Sequence, residues 1–199
     1  MKKIIFLLPL LSALTISHAG DWPGWRGSDR TDVSKETGLL QAWPETGLKR
    51  IWLSKEGGLG YSGFSVVGNR LFTMGAFDQK EKLLALNALT GETLWEVEVG
   101  ALLTNNWGDG PRMSPAVADG LVYALGGRGK LVCVEIETGK IRWSKGLVED
   151  LGGKVPGWGY TESVLVDQGR VICTPGGKKG ALAALDAKTG NVLWQSKDF

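Results

Sequence analysis

Past residue 60 the chain is written in short apolar runs separated by turn residues, and the runs come in pairs. Ser65 to Val67 is followed across Gly68-Asn69 by Leu71 to Met74. Ala116 to Ala118 is followed across Asp119-Gly120 by Leu121 to Leu125, and Val164 to Val166 across Asp167-Gln168-Gly169 by Arg170 to Thr174. Apolar runs of this length bounded by Gly, Asn and Asp predict β-strands joined as hairpins. A second hairpin follows each pair. Its text is repeated three times, as 85–95, 133–143 and 184–194. Each copy places Asn87, Glu135 or Asp186 three residues before a Thr-Gly pair (Thr90-Gly91, Thr138-Gly139, Thr189-Gly190) and ends on Trp95, Trp143 or Trp194.

The turn chemistry explains the spacing. Asn87 and Asp186 can accept the backbone N–H two residues on, and the glycines can take the positive φ that returns the chain antiparallel. Glu135 is longer, so the second copy is expected to turn less tightly. The tryptophans stand 48 and 51 residues apart, close to the period of a four-stranded propeller blade. Two hairpins per period make a four-stranded antiparallel unit with two apolar faces, which must stack on copies of itself. The terminal tryptophan is then placed to wedge between adjacent sheets.

Composition agrees. Of 199 residues 43% are hydrophobic and 22% charged, an ordinary globular balance, while 30 glycines supply many turns and 9 tryptophans need broad apolar surfaces. Residues 1–19 stand apart. Lys2 and Lys3 precede an apolar run from Ile4 to Ile16 that ends in Ser17-His18-Ala19, which predicts a secretory signal peptide cleaved after Ala19. The run is shorter than the roughly 20 residues of a bilayer span, so no transmembrane segment is expected after cleavage. No Cys follows it to carry a lipid. The location implied is extracytoplasmic, periplasmic or secreted.

Cleavage takes two of the 23 basic residues and none of the 21 acids, leaving balanced charge and no basic footprint for nucleic acid. It also takes His18, the only histidine, so no imidazole is left for a Ser-His-Asp or Cys-His system or for a zinc site. Cys133 and Cys173 lie in apolar strand-like runs and are expected as buried free thiols.

The repeat resembles that of the quinoprotein-like (PQQ-like) β-propellers, whose blades carry Ala-x-Asp-x-x-Thr-Gly-x-x-x-Trp. Residues 184–194 match it fully, and 85–95 and 133–143 less perfectly. Asp21-Trp22-Pro23-Gly24-Trp25-Arg26-Gly27 is similar to the start of secreted bacterial members. The resemblance implies an all-β fold, a β-propeller of four-stranded antiparallel blades, with an N-terminal segment at 20–49 and about three blades over 50–199. Trp52 would close a lone N-terminal strand. Since propellers have about 4 to 8 blades, the chain is expected to be part of a longer protein and to form an open arc.

The family offers three kinds of activity. Some members are dehydrogenases holding pyrroloquinoline quinone and Ca²⁺, some are scaffolds of outer-membrane protein assembly, and many have no assigned activity. The dehydrogenase reading demands oxygen ligands for Ca²⁺, an Asp base and often a vicinal Cys-Cys pair. No Cys-Cys pair is present, and the loops 126–130 and 175–180 are basic where a cation would sit. The loop Gly75 to Lys82 carries Asp78 and Glu81 among lysines and reads as an exposed charged hairpin. Ligand-facing candidates fall in the connections 105–112 and 156–162, where Trp107, Arg112, Trp158, Tyr160 and Glu162 accompany flexible glycines. An arginine there offers paired donors to an anion, and a glutamate accepts from hydroxyls. In the alternative reading the tryptophans cover a blade edge while Arg112 and Glu162 pair with each other or with backbone. The leading expectation is a non-enzymatic binding or scaffold platform for a protein or extracellular polymer, with no cofactor. The alternative is a quinone- and Ca²⁺-dependent alcohol or sugar dehydrogenase whose catalytic residues lie elsewhere; a lyase or hydrolase with paired carboxylates ranks third.

Overall fold

The structure, a computed structural model, describes residues 20–197, so the expected leader and its cleavage point lie outside the described residues. Three four-stranded antiparallel sheets follow one another along the chain. The first contains β1 (Ser65–Val67), β2 (Arg70–Phe77), β3 (Lys80–Asn87) and β4 (Thr93–Ala101). The second contains β5 (Ala116–Ala118), β6 (Leu121–Leu125), β7 (Lys130–Glu135) and β8 (Ile141–Gly146). The third contains β9 (Leu165–Asp167), β10 (Arg170–Cys173), β11 (Ala183–Asp186) and β12 (Val192–Gln195). Each sheet is paired in sequence order. β1 packs against β5 and β5 against β9, while β4 packs on β7, so the sheets fan out from a common inner edge as propeller blades do. No helix among the described residues is long and apolar enough to cross a membrane.

Burial follows position in the fan. The middle sheet has neighbours on both faces, and β6 is buried at every residue, which is why its text is a continuous apolar run. β4, an outermost strand, alternates instead, and its Glu96 and Glu98 face out to meet Lys82 and Lys80 at 2.5 and 2.7 Å. One connected core runs through all three sheets, from Phe72 and Leu83 through Tyr123 and Val132 to Val171 and Leu185.

The tryptophans tie the sheets together. Trp95, Trp143 and Trp194 sit directly across from Ala85, Cys133 and Ala184, a small residue in each case. The indole N–H of Trp95 donates to Ile136 O at 3.2 Å, and that of Trp143 to Ala187 O at 2.9 Å, in the Thr-Gly turn of the following sheet. Trp52 does the same to Ala88 O at 2.9 Å in the first sheet. Each ring lies flat on the glycine of that turn. A Cβ added at Gly91, Gly139 or Gly190 would come within 2.6 to 2.8 Å of the docked indole. The glycine therefore serves two needs, its positive φ of 69–76° and the close approach of the ring.

Asn87 Oδ1 accepts from the N–H of Leu89 at 2.8 Å and Asp186 Oδ1 from Lys188 at 3.1 Å, as the turn chemistry requires. Two sequence expectations need correction. The turn at Glu135 is no looser than the others: Gly139 N donates to Glu135 O at 2.9 Å, against 2.8 Å in both other copies. The longer side chain simply bonds further along, to Thr138 Oγ1 and Arg142, and these bonds hold its carboxyl below the usual range. The segment around Trp52, expected to stand without partners of its own, pairs with no strand among the described residues, and its indole docks. Finally, 75–82 is not a loop. β2 and β3 run on to a tight turn at 78–79 with Phe77 opposite Lys80, and period-2 alternation sends Lys80 and Lys82 outward and Glu81 into the core.

Cys133 and Cys173 are free and buried, and burial pushes both thiols up to about 12. Because the thiolate is the nucleophile, iodoacetamide at neutral pH should label neither cysteine in the folded protein and both in denaturant, as read by mass spectrometry.

Candidate functional site

The connections that enter the second and third sheets meet at one end of the fan. Asn105 closes a turn by accepting from Trp107 N at 3.0 Å with its side-chain oxygen and from Gly108 N at 2.9 Å with its carbonyl. Its amide nitrogen reaches the other connection, donating to Gly157 O at 2.7 Å. That bridge brings Trp107 and Trp158 into a stacked pair with centroids 5.2 Å apart. The rings remain 71% and 54% exposed, and Tyr61 beside them donates to Trp107 O at 3.0 Å. The two connections are tied together, and the tryptophans cover each other rather than a sheet edge.

Tyr160 lies beneath this surface. It is buried, and its hydroxyl donates to Pro175 O at 2.9 Å, with burial pushing its pKa up to about 12. It supports the loop from below. Arg112 and Glu162 do share a space, an open cleft of about 580 Å³ on the inner side of the connections. They are not paired with each other. The Arg112 guanidinium donates to Gly108 O at 2.6 Å and to Gly110 O, and lies 5.4 Å over the Tyr61 ring. Glu162 Oε1 accepts from Thr174 N at 2.7 Å.

Three features of this end were not read as parts of the site from the sequence. Trp25 and Arg30 of the N-terminal segment form another wall of the cleft, carried there because Trp22 bridges to Val66 of β1 and Pro23 O accepts from Val117 N of β5 at 2.7 Å. Ser65 at the start of β1, and Ser114 and Ser163 two residues before β5 and β9, keep a constant offset of 49 residues, and that offset was a readable signal. Their hydroxyls stitch neighbouring sheets: Ser65 donates to Pro115 O, and Ser163 Oγ accepts from Ser114 N at 2.9 Å. Glu81 is the third. Fully buried, it accepts from Leu103 N at 3.1 Å and Gly127 N at 2.7 Å, fixing the root of the Trp107 connection to the second sheet. Burial raises its pKa against the lowering effect of those two N–H groups and of Arg112 and Arg128.

The side chains present do not suit Ca²⁺ with a quinone. Glu162 is the single carboxylate on the cleft and faces it together with Arg30 and Arg112, and both oxygens of Glu81 are taken by backbone N–H groups. Among the described residues no three Asp, Glu, His or Cys side chains converge as metal ligands. Trp25, the indole on the cleft, has Arg26 and Arg30 over its ring at 5.3 and 5.7 Å, where a planar quinone would need an open face.

Three stacked four-stranded sheets, an inner cleft and tryptophans docked on Thr-Gly turns define a quinoprotein-like β-propeller. The same fold is found in quinohemoprotein alcohol dehydrogenase from Comamonas testosteroni (TM-score 0.58, 21% identity, covering 88% of this chain and 27% of that one). It is found too in a europium-containing methanol dehydrogenase (TM-score 0.55, 22% identity, covering 73% of this chain and 26% of that one). Residues 79–198 match the profile of the family described as outer membrane protein assembly factor BamB, and the chain belongs to that family. It is 30% identical over 115 residues to the outer membrane protein assembly factor BamB of Escherichia coli (strain K12), covering 56% of this chain and 27% of that protein. The same figures hold for the protein of that name from Shigella dysenteriae serotype 1 (strain Sd197). The aligned stretch is thus about a quarter of the length of these curated relatives.

Proposed function

We propose that this protein is an extracytoplasmic, non-enzymatic platform that engages a partner protein through the loop end around Trp107 and Trp158. The observation that carries the reading is the stacked, exposed pair held on a bonded turn. Large aromatic side chains pre-positioned on a rigid scaffold are the usual anchors of protein interfaces, and their ordering cost is already met. Membership of a family named for outer-membrane protein assembly supports partners of that kind, and the leader-like N-terminus supports export.

A urea-unfolded outer-membrane β-barrel protein, diluted into the purified chain, is the probe. We expect saturable binding by fluorescence anisotropy. Trp107→Ala/Trp158→Ala should weaken it at least about tenfold, the order of two interface anchors, with an unchanged melting curve because both rings are exposed. Equal binding by the double variant would overturn the reading. So would dye-linked alcohol oxidation after loading with pyrroloquinoline quinone and Ca²⁺, which would put the dehydrogenase reading in its place.

A further inference from the structure

The cleft beneath the loop end has chemistry that a protein-docking patch does not use. Arg30 stands on a segment in which three non-glycine residues, Arg26, Arg30 and Asp32, hold positive φ of 53–69°. Such backbone persists only where its surroundings over-determine it. Here the Arg26 Nε donates to Asp32 at 2.6 Å, Asp32 N donates to Arg26 O at 3.1 Å, and the Trp25 ring backs both guanidiniums. The Arg30 guanidinium itself makes no hydrogen bond or ion pair among the described residues, although Asp29 and Asp32 are close in sequence and are paired with Lys35 and Arg26. Arg30 lines the cleft beside Trp25, and its donors are unspent among the described residues.

Across the same space stands Arg112, partly committed to Gly108 and Gly110 and therefore fixed in place. Glu162 keeps Oε2 free of any bond among the described residues, and the hydroxyls of Thr161 and Ser163 line the wall beside it. Two cations and one anion leave a net charge of +1. That balance suits a single negative charge and disfavours a dianion, which Glu162 would repel. A guanidinium fork matches a carboxylate, and a carboxylate with hydroxyls beside it matches vicinal hydroxyls. The volume of about 580 Å³ lies within the range of small-ligand sites, about 300–1,000 Å³.

We propose that the cleft between Trp25, Arg30, Arg112, Thr161 and Glu162 binds a carboxylated sugar, a uronic acid unit free or within a glycan. Arg30 takes the carboxylate, Arg112 adds its field, and Glu162 with Thr161 accepts from the ring hydroxyls. The site is separate from the Trp107–Trp158 pair and stands whether or not that pair docks a protein.

The test is calorimetric titration of the purified protein with tri-galacturonate, its methyl ester, tri-glutamate peptide and pyrroloquinoline quinone with Ca²⁺. Saturable heat with tri-galacturonate, falling as salt rises, and none with the ester is the expected result. Arg30→Ala should lose roughly tenfold or more, the scale of a charged hydrogen bond, and Arg30→Lys should lose less. Both variants should melt close to the parent, since the side chain has no hydrogen bond or ion pair to lose, only its contact with the half-exposed Trp25 ring. Free galacturonate in the same titration separates a monomer site from one needing the polymer, and binding of either supports the proposal. Equal affinity for the ester, indifference to Arg30→Ala, or preference for the peptide or the quinone would overturn it. The ester comparison needs no variant, so the proposal is testable even if Arg30→Ala fails to fold.

Discussion

Trp143→Ala is expected to destabilise the protein by about 3–5 kcal/mol, the cost of deleting a buried indole. The ring is only 8% exposed, lies flat on Gly190 of the next sheet and packs tilted on Tyr123 with centroids 6.0 Å apart. Its N–H bond to Ala187 O goes too, but that carbonyl also accepts from the Tyr123 hydroxyl at 3.1 Å, so no buried acceptor is orphaned and the loss stays within that range. With total stabilities of about 5–15 kcal/mol, the variant should lose a large share of its folded population, and Tm should fall by roughly 6–20 °C. Trp194→Ala is the comparison. That ring has the same motif position but is 43% exposed, and its N–H is unbonded among the described residues, so in a protein of these 199 residues it should cost about 1 kcal/mol or less. Urea unfolding of both variants decides. Equal losses would mean that docking across the sheets contributes little and that the in-sheet contact with Cys133 or Ala184 is what the tryptophan supplies.

The same geometry explains why so much of the fold was legible. A motif that fixes its own turn and the contact to the next sheet must keep constant internal spacing, and three copies make the spacing visible. The strand pairs bounded by Gly68-Asn69 and Asp119-Gly120 were found for the same reason, with ends within a residue except that β2 runs three residues past Met74 to Phe77. In the second of these turns Asp119 and Gly120 both take positive φ, 50 and 75°, the mirror-image turn that matches strand twist. Trp52 was read as closing a lone outer strand, and what the structure adds is that its indole docks on the turn of the first sheet.

The site was less legible because it is made between repeats. Trp107, Trp158, Arg112 and Glu162 stood out by their glycine-rich surroundings, and the structure gathers them at one end. Tyr160 carries the same local signals, yet one backbone bond from its N–H to Gly127 O at 2.8 Å turns it inward. Arg30 lies 82 residues from Arg112, and nothing in its own neighbourhood tells that β1 and β5 will carry the N-terminal segment across the inner edge. Contacts of that kind are set by tertiary packing, to which periodicity is blind.

Glu81 is the residue where local text misled most, and it supports the second large expectation. Flanked by Lys80 and Lys82, it reads as part of a solvated hairpin, but its strand neighbours Leu83 and Ala85 share its face and are buried. Its two oxygens accept the N–H groups of Leu103 and Gly127. Glu81→Gln keeps the shape and one acceptor, and turns an amide N–H₂ toward the other N–H, so one buried donor loses its partner. The expected cost is about 1–3 kcal/mol. The pH dependence separates this from a packing effect. Burial holds the folded carboxyl above its ordinary value, so the native state keeps a proton that the unfolded chain has already released. Stability contributed by the group is therefore full below the unfolded pKa and falls as pH rises through the folded one. In the parent, unfolding free energy should decline over the interval just above the ordinary carboxylate range, and in Glu81→Gln that decline should flatten. The same substitution breaks the double tie between Gly127 and Leu103, the root of the loop that carries Trp107. Faster amide exchange at 103–109 in the variant than in the parent should accompany the loss, and unchanged exchange there would show that Glu81 stabilises the sheet without positioning the loop.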